Sequence, residues 1–254
     1  MLEVVDTHSH LDEIENLENA LTKASEAGVV SIIAVGSNHR SNQKIMEISR
    51  THEGFVYPAL GLHPWELGKL DSSSVETTLK YIEDQIYRVV AIGEIGLDYD
   101  KRVIKVASKE LQKEVFKKVL ALAQKYGKPV SVHSRYAWKD TFDLVKEACI
   151  KKSVFHWFTG FSSVLKEILD TGYFISATPA IEYHEEHKRA VKETPVERLL
   201  LETDSPVTYG RENRYRAQPA DVLRSLRVAA ELKEIDEPAL ARITTSNAVE
   251  LFSL

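Results

Sequence analysis

The chain has 254 residues, 43% hydrophobic and 28% charged, the mix of a soluble globular protein and a length that suits one α/β barrel domain over 1–254. Its 33 Lys and Arg against 38 Asp and Glu leave a net charge of −5. That excludes a broad basic nucleic-acid-binding surface, so any phosphate group must be held by local cations, metals included. One cysteine, Cys149, excludes an intrachain disulfide. No signal-peptide pattern opens the chain and no run approaches the roughly 20 apolar residues of a membrane span, so the expectation is a cytoplasmic protein with no membrane partner and an open oligomeric state.

Eight short, β-branched apolar runs follow one another along the chain. They are Val4–His8, Ser31–Gly36, Phe55–Gly61, Val89–Gly93, Pro129–His133, Ser153–Trp157, Gly172–Ala177 and Leu199–Glu202. Several are almost continuously hydrophobic, as strands buried on both faces are. Helical patterns separate them. Leu17–Ala27 stops at Gly28, and Lys109–Tyr126, with apolar residues at 111, 115, 116, 119, 120 and 122, stops at Gly127. Others cover about 41–50, 74–87, 139–150, 162–171, 184–193, 219–232 and 237–245. Eightfold strand–helix alternation predicts a single-domain TIM-type (β/α)8 barrel. An open doubly wound sheet is the alternative, and the lack of a glycine-rich fingerprint after the first strand weighs against it.

In such a barrel, active sites sit at the C-terminal ends of the strands. The first run ends in Asp6-Thr7-His8-Ser9-His10, where positions 8 and 10 share a face of a strand. The fourth runs into Glu94 and on to Asp98, and a carboxylate in so apolar a stretch needs a partner, either a basic side chain or a cation. The fifth ends at His133 and Arg135, and the sixth holds His156. The eighth closes on Glu202-Thr203-Asp204, with Glu202 placed to be a buried salt-bridge partner and Asp204 a ligand. Each histidine alone is as readily a core or rim residue. Their convergence on one rim points to divalent metal, and His and carboxylate donors without thiolates suit zinc, manganese or magnesium.

The motifs DTHSHLD (6–12), GLHP (61–64), GEIGLDY (93–99), PVSVHSR (129–135), HWFTG (156–160), LLLETDSP (199–206) and SNAVELF (246–252) resemble those of the TatD family of metal-dependent deoxyribonucleases, in the amidohydrolase-like barrel superfamily. The resemblance covers essentially the whole chain in order. It implies two divalent cations, His8, His10 and Asp204 on the first, His133 and His156 on the second, and Glu94 bridging them. It further implies that Asp204 takes the proton of the attacking water, with Glu94 its catalytic partner, and that His63 and Arg135 contact a substrate phosphate. The implied reaction is metal-assisted hydrolysis of a DNA phosphodiester, on single-stranded ends. Trp65, Tyr99 and Trp157 are candidate stacking residues for a base, or ordinary packing.

Two departures from the family pattern bear on substrate. The segment 210–219 carries three arginines where the family has an Asn before a Pro, and Ser153-Val-Phe precedes HWFTG. Two other readings stay open. One is a hydrolase of the same barrel acting on another ester, an amide or an aminoacyl-tRNA bond; a glutamate at position 94, in place of the carbamylated lysine of many amide hydrolases, weighs against it. The other is a non-enzymatic binding protein, for which the full ligand set has no use.

Overall fold

The apolar runs become eight parallel strands hydrogen-bonded in chain order: β1 (Val4–Ser9), β2 (Val29–Val35), β3 (Val56–Leu62), β4 (Ala91–Asp98), β5 (Val130–Arg135), β6 (Ser153–Phe155), β7 (Phe174–Ala177) and β8 (Leu199–Leu201). The computed structural model describes residues 2–254. Past the end of β8 the chain returns to β1. Asp204 N–H donates to the His8 carbonyl at 2.9 Å, His10 N–H to the Ser205 carbonyl at 2.7 Å, and the Thr7 hydroxyl to the Leu201 carbonyl at 2.9 Å. These bonds close the sheet into the expected (β/α)8 barrel.

The helices are α1 (Leu17–Ala27), α2 (His39–Thr51), α3 (Ser72–Asp84), α4 (Lys101–Ile104), α5 (Lys109–Tyr126), α6 (Trp138–Glu147), α7 (Ser162–Asp170), α8 (Glu185–Glu193), α9 (Val222–Lys233) and α10 (Glu237–Phe252). Gly28 and Gly127 cap α1 and α5 in left-handed conformations, as their positions predict. The last helix continues past 245 to Phe252. Its weak Thr-Thr-Ser-Asn stretch is outweighed by Ala248, Leu251 and Phe252, which pack on the barrel. The short α4 and a two-stranded ribbon, β9 (Thr208–Tyr209) with β10 (Tyr215–Arg216), carry no apolar period and were not expected.

Two hydrophobic layers organise the molecule. The larger lies between strands and helices. The smaller takes Val5, Ile33, Ala59, Ala91, Val154, Phe174 and Leu200 from seven strands and fills the barrel below its mouth. Comparing the two reveals why Glu94 and His8 face inward. Ala91 belongs to the inner layer and Ile92 to the outer, so strict alternation would send residue 94 outward. Between Ile92 and Ile95, however, β4 holds one residue more than either neighbour: Leu60 and Leu62 pair with Ile92 and Ile95 on one side, Val130 and Val132 on the other. This bulge flips the parity, so Ile95 and Leu97 face the helices while Glu94 turns into the lumen. β1 does the same between Asp6 and Ser9, which pair with the adjacent strand partners Ile32 and Ala34. Val5 and His8, three positions apart, both point inward.

The sequence reading is corrected in three places. β4 does not end at Gly93 but runs through Glu94 to Asp98. β6 stops at Phe155 and β8 at Leu201, because Trp157 and Asp204 adopt positive φ (42° and 49°) that a ladder cannot accommodate. His156 and Asp204 therefore stand on loops just beyond their strands.

Candidate metal centre

Glu94 stands at the middle of the mouth, 3% exposed, and its two carboxylate oxygens face different groups. Oε2 lies 3.5 Å from His8 Nε2 and 3.3 Å from His10 Nε2, and the same two nitrogens lie 3.6 and 3.5 Å from Asp204 Oδ1. Oε1 lies 2.9 Å from His133 Nδ1, 2.7 Å from His156 Nε2 and 3.4 Å from His63 Nε2. The structure thus gathers His8, His10, Glu94, His133, His156 and Asp204 in one cluster, and brings in His63 as well. The sequence reading reserved His63 for substrate, yet it stands as near to Glu94 as the histidines assigned to metal. Ligand-type atoms fall into three groups that could hold a cation: His8 with His10 and Asp204, Glu94 with His63 and His133, and His8 with His156 and Glu202.

The cluster is supported from behind. Ser131 Oγ lies 3.2 Å from His8 Nδ1, which gives that nitrogen's proton an acceptor and leaves Nε2 with its lone pair. His8 Nε2 is buried and has no hydrogen-bond partner in the protein. A buried imidazole nitrogen left without a hydrogen bond between two carboxylates fits a metal ion. Asp98 Oδ2 is 3.0 Å from His133 Nε2, and Glu202 Oε1 is 3.4 Å from His156 Nδ1, so the two imidazoles nearest Glu94 are each oriented by a second carboxylate. Glu202 is fully buried and accepts from the Ser176 hydroxyl at 2.7 Å and Trp157 N–H at 3.1 Å. Its partners are hydroxyl, amide and the His156 imidazole, so the buried ion pair expected of Glu202 is made with a histidine. Asp98 was not assigned a role in the sequence. It lies four residues from Glu94 on the same strand face, and that spacing was the available signal.

Electrostatics separates the acids from the bases. Burial pushes the Glu94 carboxyl up, but the imidazoles of His63, His156, His10 and His133 hold it well below the usual range. Burial likewise opposes ionisation of Asp204, and His10, His8 and His156 bring it down. Burial depresses His8, aided by neighbouring His156, and keeps it a neutral donor. It also disfavours charge on His10 and His156, yet their carboxylate neighbours raise both well above the ordinary imidazole value. Fixed negative charge is thus balanced by protons that a divalent cation would replace.

A cavity of about 690 Å³ opens above the cluster, lined in part by His10, His63, Glu94, His133, His156 and Asp204. Arg135, Trp65 and Trp157 also line it. Arg135 is held 3.1 Å from Asp98 Oδ2 and 3.3 Å from Asp100 Oδ2, with its guanidinium over the Trp65 ring at 5.3 Å. Tyr99 stands away from the cavity: its hydroxyl donates to Asp140 at 2.7 Å and the Lys109 ammonium lies over its ring at 4.3 Å, so it is a packing residue. The arginine-bearing segment 210–219 supplies the turn and second strand of the β9–β10 ribbon, outside the cavity lining. There Arg211 donates to the Tyr183 carbonyl and Arg216 pairs with Glu15.

A closed (β/α)8 barrel with imidazoles and carboxylates converging at its C-terminal mouth defines a metal-dependent hydrolase. The TatD related DNase family model matches residues 5–253, and the chain belongs to that family. It is 37% identical to the human protein named Deoxyribonuclease TATDN3 over 98% of this chain and 94% of that one. It is 34% identical to the metal-dependent hydrolase YabD of Bacillus subtilis, over 98% of each. The crystal structure of the TatD homolog YjjV from Escherichia coli superposes with a TM-score of 0.89, at 28% identity, over 99% of this chain and 98% of that one.

Proposed function

We propose that this protein is a deoxyribonuclease that hydrolyses phosphodiester bonds near single-stranded DNA ends, using two divalent cations at the mouth of one barrel domain spanning 1–254. The observation that carries it is the division of Glu94, whose two oxygens face two separate sets of imidazoles. His8, His10 and Asp204 would hold the first cation, His133 and His156 the second, and Glu94 both. The relative named as a deoxyribonuclease supports DNA as the nucleic-acid substrate. Magnesium, manganese and zinc all suit this donor set.

When bound, the cations supply Lewis-acid charge and acidify a coordinated water. The chain's own groups do the rest. Asp204, at the cavity wall with a depressed pKa, is ionised and accepts the proton of the attacking water on its carboxylate. His63 and Arg135 orient the phosphate oxygens and offset the charge that develops on them. Ser131, Asp98 and Glu202 face the outer nitrogens of His8, His133 and His156 and would hold these rings with their inner nitrogens free to donate to a cation. Among the described residues no helix is long and apolar enough to cross a membrane, in keeping with a cytoplasmic place of action.

End-labelled single-stranded DNA incubated with protein and magnesium or manganese should shorten in steps, and chelator should stop it. Glu94→Gln should reduce cleavage to the chelator level while circular dichroism shows an intact barrel. Full activity of Glu94→Gln would refute the bridging role. Inert wild-type protein shown by elemental analysis to carry two metals would refute the DNA substrate.

A further inference from the structure

One wall of the cavity is aromatic and extends outward beyond it. Tyr136 and Trp138 line the cavity, and their rings meet edge to face at 5.9 Å. Trp138 in turn meets Phe161 edge to face at 5.3 Å. The two outer rings are open to solvent: Tyr136 is 62% exposed and Phe161 68%. Exposed rings scattered singly are ordinary, but these two flank Trp138 and make one continuous aromatic surface at the cavity's edge.

The wall is built rather than incidental. Tyr136 has φ of 57°, a left-handed conformation that a ring-bearing residue adopts at a steric cost. Among the described residues, the other non-glycine positive φ values fall into two groups. Cys149, Glu234 and Ser253 lie at helix ends, whereas Trp157 and Asp204 lie at the barrel mouth with Tyr136. Gly160 lets the Trp138 ring settle against the β6–α7 loop, since a Cβ there would meet Trp138 Cγ at 2.6 Å. Arg135, immediately before Tyr136, puts a guanidinium at the foot of the wall, inside the cavity.

We infer that Tyr136, Trp138 and Phe161 form a stacking shelf for the unpaired bases of a single strand whose phosphate enters the metal cavity. The inference rests on the proposed nuclease reading and assigns these residues to substrate selection. Faces of exposed rings accept any base, and a paired base cannot turn its face outward, so the shelf selects unpaired strands without selecting sequence. Continuity with the cavity fixes what is stacked: the bases next to the scissile phosphate.

The test pairs ring removal with base removal. Two fluorescein-labelled oligothymidylates are used, one intact and one with abasic residues beside the terminal diester. Binding is followed by anisotropy in chelator, where no cleavage occurs, and steady-state cleavage is followed with manganese. Wild-type protein should bind the intact strand about tenfold more tightly than the abasic one. Tyr136→Ala and Phe161→Ala should each abolish most of that preference and raise KM on the intact strand without lowering kcat, and Phe161→Trp should restore it. Both positions are exposed, so melting temperatures should not move. Equal binding of the two strands by wild-type protein, or equal losses on both strands in the variants, would overturn the shelf while leaving cleavage intact. Base-dependent binding without cleavage by the metal-loaded enzyme would overturn the nuclease reading and leave the shelf standing.

Discussion

His187 is fully buried at the junction of two loops that carry the mouth. Its Nδ1 lies 3.0 Å from the Phe158 carbonyl, to which it donates, and its Nε2 accepts from Thr178 N–H at 3.1 Å. With both nitrogens committed, burial pushes its pKa down to about 3, the pull of the Phe158 carbonyl notwithstanding. Its folded value thus lies below the unfolded value of 6.5. The stability it contributes is complete above pH 6.5 and is lost as pH falls from there toward 3, because only the unfolded chain takes up the proton. At pH 5 the loss is about 2 kcal/mol. His187→Gln cannot titrate in that window, so its melting temperature, lower at pH 7.5, should converge on the wild-type value as pH falls to 5. Parallel curves would show that His187 is not held neutral. Nothing in the sequence separated this histidine from the cluster histidines by type. Its helical setting did, since His187 sits on α8 rather than at a strand end. Conversely, the six ligand-type residues were legible because strand ends expose few polar residues by chance. Asp98, Glu202 and Ser131 were less so, because a residue that orients a ligand leaves only an alternation pattern behind.

The barrel elements followed from hydrophobic spacing, but the parity of Glu94 and His8 did not, because a single extra residue in a strand is invisible to a period-two pattern. The β4 bulge is held by close approach of its neighbour. Asn42 on α2 clamps Gly61, donating to its carbonyl at 2.8 Å and accepting its N–H at 3.1 Å. A Cβ at Gly61 would overlap the backbone of Gly93 and Glu94. Gly61→Ala should therefore push the bulge away, cost about 1–3 kcal/mol and displace Glu94. Calorimetry should show a lower melting temperature, and elemental analysis less than the wild-type metal content. Wild-type metal binding in a destabilised Gly61→Ala protein would mean that Glu94 does not depend on β3 for its position. The pairing of Thr208–Tyr209 with Tyr215–Arg216 makes a ribbon too short for periodicity to reveal.

At the scale of the whole molecule, net charge and site chemistry oppose each other. With a net charge of −5 the proposed DNA substrate would meet little long-range attraction, so its binding would depend on local contacts at the mouth, with Arg135, bound cations and the exposed rings among them. The logarithm of KM should accordingly rise with the logarithm of salt concentration with a slope of about 1–2, against about 6–10 for proteins that track many phosphates. A slope near 6 would reveal a basic track outside the cavity. The candidate metal centre also ties the fold together, since its donors come from β1, β4 and β5 and from the loops after β1, β6 and β8. Chelation should lower the melting temperature of wild-type protein and leave that of Glu94→Gln nearly unchanged.

The seam that closes the barrel joins His8 to Asp204, residues from opposite ends of the polypeptide that also face the same candidate cation. During synthesis His8 and His10 can meet Glu94 once β4 has emerged, but Asp204 and the hydrogen bonds that close the barrel come only with the residues after β8. A fragment cut short before residue 204 therefore lacks both the last donor and the closed barrel. The candidate donor set and the closed barrel are thus completed by the same residues.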